Sequence, residues 1–315
     1  MNLIILFSGQ GLQSQAHLDE ILSQMLPDEQ SLLRSVAPEL SVDYANSINS
    51  SQSSDDSLFE ERLFDNQIAQ PFIYTLQYYR WQQLQRLIAA PMAFAGYSLG
   101  EVSAFACSSQ LPYAAGLDLV HQRASVMQNV VTASSGLMAI KGVPDRKMDE
   151  LLAQSQTHLS IRINRDQFII AGNHAHLEQA ADIAQNLGAQ NVQRLKVSVP
   201  SHTVMMKDAA KAFASYTQSL TLPKMRTPII SAIDGTRYSD SEQGLRILSQ
   251  QIDHPLDWYL CLETIEEYQP SMVIEIGPGS ALSKMVNNVL PHIPCRSWDD
   301  FRNIDGLQAW IDRNR

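Results

Sequence analysis

Gly96-Tyr97-Ser98-Leu99-Gly100 is the stretch from which the rest of this chain is read. An apolar run, Pro91 to Ala95, precedes it, and a helix-forming run, Glu101 to Cys107, follows. Strand, Gly-x-Ser-x-Gly, helix is the context of a nucleophile elbow. The glycines keep side chains clear of a strained turn, and the serine hydroxyl stands at its tip. The N–H of Leu99 would lie at a helix N-terminus, where it can face a developing oxyanion. The same five residues also arise in ordinary strand–helix turns, so the motif needs partners elsewhere in the chain.

The frame around it is that of a large globular protein. The chain has 315 residues, of which 44% are hydrophobic and 18% charged. That is enough for one large domain carrying a smaller one. With 33 acidic and 23 basic side chains the net charge is −10, which disfavours nucleic-acid binding. An acidic carrier protein as partner would need a local basic patch. Cys107, Cys261 and Cys295 are widely spaced, with neither a disulfide framework nor zinc spacing, so no metal site is expected. No apolar run approaches the ~18 residues of a membrane span. The N-terminus opens as a strand, with no basic leader. A soluble, cytoplasmic protein is expected.

Leu3 to Phe7 reads as a buried parallel strand running into the turn Ser8-Gly9-Gln10-Gly11. A surface loop is expected over 49–57 and helices over 67–87 and 116–131. The middle of the chain reads strand 136–143, helix 145–153, strands 159–163 and 167–171, helix 174–187 and strand 192–197. This βαββαβ order is the ferredoxin-like pattern, and it places an inserted subdomain at 133–196. Strands then follow at 228–233 and 272–276, Gly277-Pro278-Gly279 leads into a helix near Ser280, and an amphipathic helix starts near Gly306.

A serine nucleophile needs a base. Of 8 histidines, His202 stands out in Val199-Pro200-Ser201-His202, at the end of an apolar stretch and before a helix. It reads either as that base or as a packed, helix-capping histidine. More than a hundred residues follow it, which is not the chain order of an α/β-hydrolase triad. Arg123 shares a helix face with Val120 and Met127 and must find an anion there. Either a protein carboxylate meets it or the side chain snorkels to water, or it takes the carboxylate of a substrate by two parallel N–H bonds. Gln10, in the glycine turn, is a candidate second oxyanion donor beside Leu99, or an ordinary turn residue. Gly9-x-Gly11 lacks the third glycine of a dinucleotide fingerprint.

Together these motifs resemble the malonyl-CoA:acyl-carrier-protein transacylase family. The resemblance rests on Phe7-Ser8-Gly9-Gln10-Gly11-Leu12-Gln13, Gly96 to Glu101, Arg123, Val199 to His202 and Gly277 to Gly279, in that order over nearly the whole chain. Tyr97 stands where the family has His, Ser8 where it has Pro and Leu12 where it has Ser. Tyr97, the Ser201-His202-Thr203 context, Ile233-Asp234-Gly235 and Ser297-Trp298-Asp299-Asp300-Phe301-Arg302 look like one branch, the transacylase (epsilon) subunit of malonate decarboxylase.

The resemblance implies an α/β-hydrolase-like core with a parallel sheet, built from 1–132 and 197–315, with the ferredoxin-like α+β insert between. It implies a Ser98–His202 dyad whose histidine is oriented by a backbone carbonyl, that of Gln251, although Asp253 and Asp257 remain alternatives. It further implies Gln10 and Leu99 as oxyanion donors and Arg123 as the malonyl carboxylate site. No bound cofactor is implied: malonyl-CoA is the substrate, and the prosthetic-group thiol of an acyl carrier protein is the acceptor. In the malonate decarboxylase branch that group is phosphoribosyl-dephospho-CoA. Three rivals stay open: the fatty-acid-synthesis transacylase, a serine hydrolase releasing the acyl group to water, and a non-catalytic carrier-docking subunit.

Overall fold

The computed structural model describes residues 2–40, 61–131, 135–197 and 199–315. The loop expected over 49–57 lies outside the described residues. In chain order the strands are β1 (Leu3–Phe7), β2 (Ala93–Gly96), β3 (Ser135–Lys141), β4 (His158–Asn164), β5 (Gln167–Asn173), β6 (Asn191–Arg194), β7 (Ile229–Ile230), β8 (Arg237–Tyr238), β9 (Leu256–Asp257), β10 (Met272–Glu275) and β11 (Cys295–Ser297). The α-helices are α1 (Gln15–Gln24), α2 (Pro27–Val36), α3 (Asn66–Leu84), α4 (Leu99–Ser108), α5 (Tyr113–Gln128), α6 (Asp145–Ser155), α7 (His174–Asn186), α8 (Lys207–Thr217), α9 (Ser241–Gln250), α10 (Trp258–Glu267), α11 (Ala281–Val289) and α12 (Ile304–Arg313).

The main sheet runs β11-β10-β1-β2-β7-β8. Its first five strands pair in parallel, and only β8 returns antiparallel. Every residue of β1 is buried, because helices cover both faces of such a sheet and leave it no polar side. Leu3, Ile5 and Phe7 join one core with α3, α4 and α5. Ile4 and Leu6, pointing the other way, join a second core that reaches Trp258, Cys261 and Ile265 of α10 and Ile161 and Ile169 of the second sheet.

That second sheet runs β6-β3-β5-β4-β9. Its first four strands follow the ferredoxin-like spatial order and are antiparallel, with α6 and α7 packed on one face. β9 comes from outside the 133–196 segment and pairs in parallel with β4, tying the two sheets together. The strand expected over 192–197 stops at Arg194, and the one expected over 228–233 is only Ile229–Ile230. Both departures serve the site. The chain leaves β6 early to carry His202 back to the main sheet, and β7 turns at once into a hairpin whose Tyr238 and Ala232 reach the elbow helix.

Helix α3 is buried almost all round, although it carries several glutamines. Gln77 explains one of them: its amide donates to Ser8 O at 2.8 Å and to Gly277 O at 2.7 Å. One side chain thereby braces the two glycine turns at the carboxyl ends of β1 and β10. No helix among the described residues is long and apolar enough to cross a membrane.

Candidate active site

Ser98 sits between β2 and α4 with φ 56° and ψ −117°. Such a backbone is strained for a side-chain-bearing residue and persists only where its surroundings hold it. They do so through the flanking glycines. A Cβ on Gly100 would lie 2.0 Å from Phe7 O, and one on Gly96 would lie 2.1 Å from Glu101 N. Real contacts never come that close, so both positions require glycine. A Cβ on Gly9 would stand 3.7 Å from Ser98 Cβ, which places the Gln10 turn directly against the Ser98 side chain.

The Ser98 hydroxyl lies 2.7 Å from His202 Nε2. His202 is itself in the left-handed region, at φ 64°. Its backbone is fixed by N–H donation to Ile252 O at 2.9 Å, and the preceding carbonyl, Ser201 O, accepts from Ser160 of β4 at 2.8 Å. The other ring nitrogen, Nδ1, faces Gln251 O at 2.6 Å. A carbonyl can only accept, so Nδ1 carries the hydrogen and Nε2 is left as a base. Of the three orienters open to sequence reasoning, the one in place is the Gln251 carbonyl. Asp253 instead pairs with His254, and Asp257 with Arg162 and the first turn of α10.

Burial depresses the His202 pKa to about 3; the Arg123 charge pushes the same way and the Gln251 carbonyl opposes. The sign is direct. An imidazole can act as a base only in its neutral form, and this ring stays neutral as pH falls well below the usual histidine value of about 6.5. Acyl transfer at pH 5 is therefore expected to keep its rate within a few-fold of pH 7. An ordinary histidine would lose roughly 30-fold over that range. Stability responds with the opposite sign: below about pH 6.5 the unfolded chain takes up a proton that the folded ring refuses, and because buried Glu101, raised to about 7, takes up its own proton in the folded state first, the net fall in the denaturation midpoint should come below about pH 4.5. A pH–rate profile and a denaturation series on one preparation check both.

Arg123 lies on the buried face of α5, between Val120 and Met127, and is 1% exposed. The sequence calls for an anion beside it, but what touches it is two neutral amides. Nη1 donates to Gln70 Oε1 at 2.9 Å and Nη2 to Gln251 Oε1 at 3.0 Å. Nε is buried without a partner. Burial lowers the Arg123 pKa to about 10, so it remains charged at neutral pH. A buried guanidinium held by two neutral dipoles, with Nε unpartnered, has donors left with which it can receive a carboxylate.

Sequence reasoning did not pick out Asn66, Gln70 or the role of Glu101. Asn66 donates to Ala124 O at 2.9 Å and accepts from Gln70 at 2.6 Å, which turns the Gln70 oxygen toward Arg123. Its Oδ1 also faces Gln10 Nε2 at 3.4 Å, a long contact that links Gln10 to the Arg123 network. The available signal was the i, i+4 pair Asn66 and Gln70 on a helix otherwise rich in apolar residues.

A strained serine bonded to a carbonyl-held imidazole, with a buried guanidinium one glutamine away, is the constellation of an acyl-transferring serine enzyme. Comparison agrees: residues 5–294 match the acyl transferase domain family. Among curated relatives, the malonyl CoA-acyl carrier protein transacylase of Salmonella typhimurium is 31% identical over 215 residues, covering 67% of this chain and 69% of its own. That of Haemophilus influenzae is 28% identical over 229 residues, covering 70% and 72%. Among solved structures, the acyl-carrier-protein S-malonyltransferase of Burkholderia pseudomallei superposes with a TM-score of 0.82 at 25% identity, over 98% of this chain and all of the other. The chain belongs to the acyl transferase family and, within it, to the malonyl-CoA:acyl-carrier-protein transacylases.

Proposed function

We propose that this protein moves a malonyl group from malonyl-CoA to the prosthetic-group thiol of an acyl carrier protein, through a malonyl ester on Ser98. The observation that carries the reading is Arg123: a buried cation capped by the Gln70 and Gln251 oxygens and joined through Gln251 to the catalytic ring. An acyl group without a free carboxylate would leave it no anion to bind.

His202 Nε2 takes the hydroxyl proton as Ser98 Oγ attacks the thioester carbon. The Leu99 N–H and the Gln10 amide receive the oxyanion, each worth roughly 3 kcal/mol in the transition state. The C–S bond breaks, the CoA thiolate leaves with the proton from His202, and malonyl-Ser98 remains. The carrier thiol then gives its proton to His202 and attacks the ester, restoring the Ser98 hydroxyl. Arg123 holds the free carboxylate throughout. Buried, unpaired Cys107, Cys261 and Cys295 fit a reducing, cytoplasmic setting.

Which carrier it serves is the finer question. The relatives' names support an ordinary acyl carrier protein. The malonate decarboxylase branch rests on Tyr97, the Ser201-His202-Thr203 context, 233–235 and 297–302. In the last segment Asp299 takes up Arg80, His17 and the Gly279 N–H, so part of that likeness serves packing. Incubation with malonyl-CoA and either carrier tests function and branch together. Malonyl is expected on the carrier thiol at least 100-fold faster than free malonate appears without carrier. Equal release to water would make the protein a hydrolase instead.

A further inference from the structure

Glu101 follows Ser98 by three residues, in the first turn of α4, yet it is fully buried. Its two oxygens accept from Ala232 N–H at 3.1 Å, from the Tyr238 hydroxyl at 3.0 Å and from Gln251 Nε2 at 2.6 Å. Gln251 is fully buried as well, and all three polar atoms beyond its own N–H are used: Nε2 on Glu101, Oε1 on Arg123 and the backbone oxygen on His202. A side-chain amide has two orientations of nearly equal shape. Here only one is satisfied, because the guanidinium can only donate and a carboxylate can only accept.

We infer that Glu101 is a positioning residue: by holding the Gln251 amide it fixes both the carbonyl that seats His202 and the oxygen that aims Arg123. Removing the acceptor leaves Gln251 Nε2 buried with no partner, a state proteins avoid by moving the group. Gln251 caps the C-terminus of α9, so its side chain and its carbonyl share one short stretch of backbone, and displacing the first disturbs the second. The Arg123 half of the inference rests on the malonyl reading; the His202 half does not.

Two substitutions separate positioning from filling space. Glu101→Leu keeps the volume and removes the acceptor. Glu101→Gln can keep all three bonds, its oxygen accepting from Ala232 and Gln251 and its amide donating to the Tyr238 oxygen. Modification of Ser98 by phenylmethylsulfonyl fluoride reads the His202 arm and needs no particular acyl group. The malonyl-to-acetyl ratio of acylation rates reads the Arg123 arm. E101L, shown folded by circular dichroism, is expected to react at least 30-fold more slowly and to lose at least 10-fold of the ratio. E101Q should recover both to within about threefold of the parent. E101L indistinguishable from the parent on both readouts overturns the inference.

A pH profile decides the matter even if E101L does not fold. Burial pushes the Glu101 pKa up to about 7, against its three hydrogen-bond donors. Arg123, Tyr238, Cys261 and Asp234 face the same carboxylate; burial and the carboxylate itself push Tyr238 and Cys261 far above that range, and Arg123 stays charged. Ionised Glu101 sets a negative charge against Arg123, the charge that depresses His202, so the parent's Ser98 reactivity should step up about threefold between plateaus around pH 7. E101Q should show no step, and superimposable profiles would refute the idea. If the parent takes no malonyl onto Ser98, that sinks the malonyl reading, and the sulfonyl fluoride rates still decide the role of Glu101.

Discussion

Ser98→Ala, His202→Ala and the double variant are expected to fall together, each losing about 10⁴-fold or more in single-turnover transfer, with the pair no worse than either alone. In the proposed route the two side chains, 2.7 Å apart, act as one unit. Without the imidazole the hydroxyl keeps its proton, and without the hydroxyl the base has nothing to activate. General-base assistance alone is worth up to roughly 10⁴-fold, and deletions within such a unit do not add. The oxyanion donors survive in all three variants, so each should stay measurably above the uncatalysed rate. Serine replacement that leaves more than about 1% of the activity in folded protein would mean that another group carries the acyl chain.

Arg123→Ala is expected to lower the malonyl-over-acetyl preference by roughly 100- to 4000-fold. Losing the partner of a buried, hydrogen-bonded charge typically costs about 3–5 kcal/mol. Almost all of that should appear in the malonyl reaction, because an acetyl group has no carboxylate to bind. Acetyl transfer should hold steady or rise, since the depressing charge near His202 is gone. Lysine in its place should recover little: Arg123 spreads its donors over Gln70 and Gln251 with Nε still unused, and an ammonium cannot match that fork. Parallel losses with both acyl groups would assign Arg123 to the fold rather than to substrate choice.

Different parts of this site were legible in the sequence for different reasons. Ser98 could be read because its turn imposes glycines at 96 and 100, and the structure shows the backbone clash each one avoids. Arg123 could be read because a charge among Val120 and Met127 violates the helix's apolar face. His202 lies 104 residues from Ser98; only the return of the chain from β6 to the main sheet joins them, and no local pattern encodes that. Asn66, Gln70 and Gln251 were harder. A glutamine in a helix reads as surface, and periodicity cannot tell that α3 is buried on nearly every side. Gln251 was reached through its carbonyl by family resemblance, whereas its side chain, which joins Glu101 to Arg123, leaves no trace in spacing. The short strands β8 and β9 were illegible for a related reason: two residues carry no alternation, and tertiary pairing alone makes them strands.

The most direct measurement is the mass of the Ser98 peptide after brief incubation with isotopically labelled malonyl-CoA, acid quench and proteolysis. A labelled malonyl ester on Ser98, formed in the parent, absent from Ser98→Ala and discharged by carrier thiol, is the expected result. Carrier that becomes malonylated while the Ser98 peptide stays unlabelled at every quench time would contradict the covalent route.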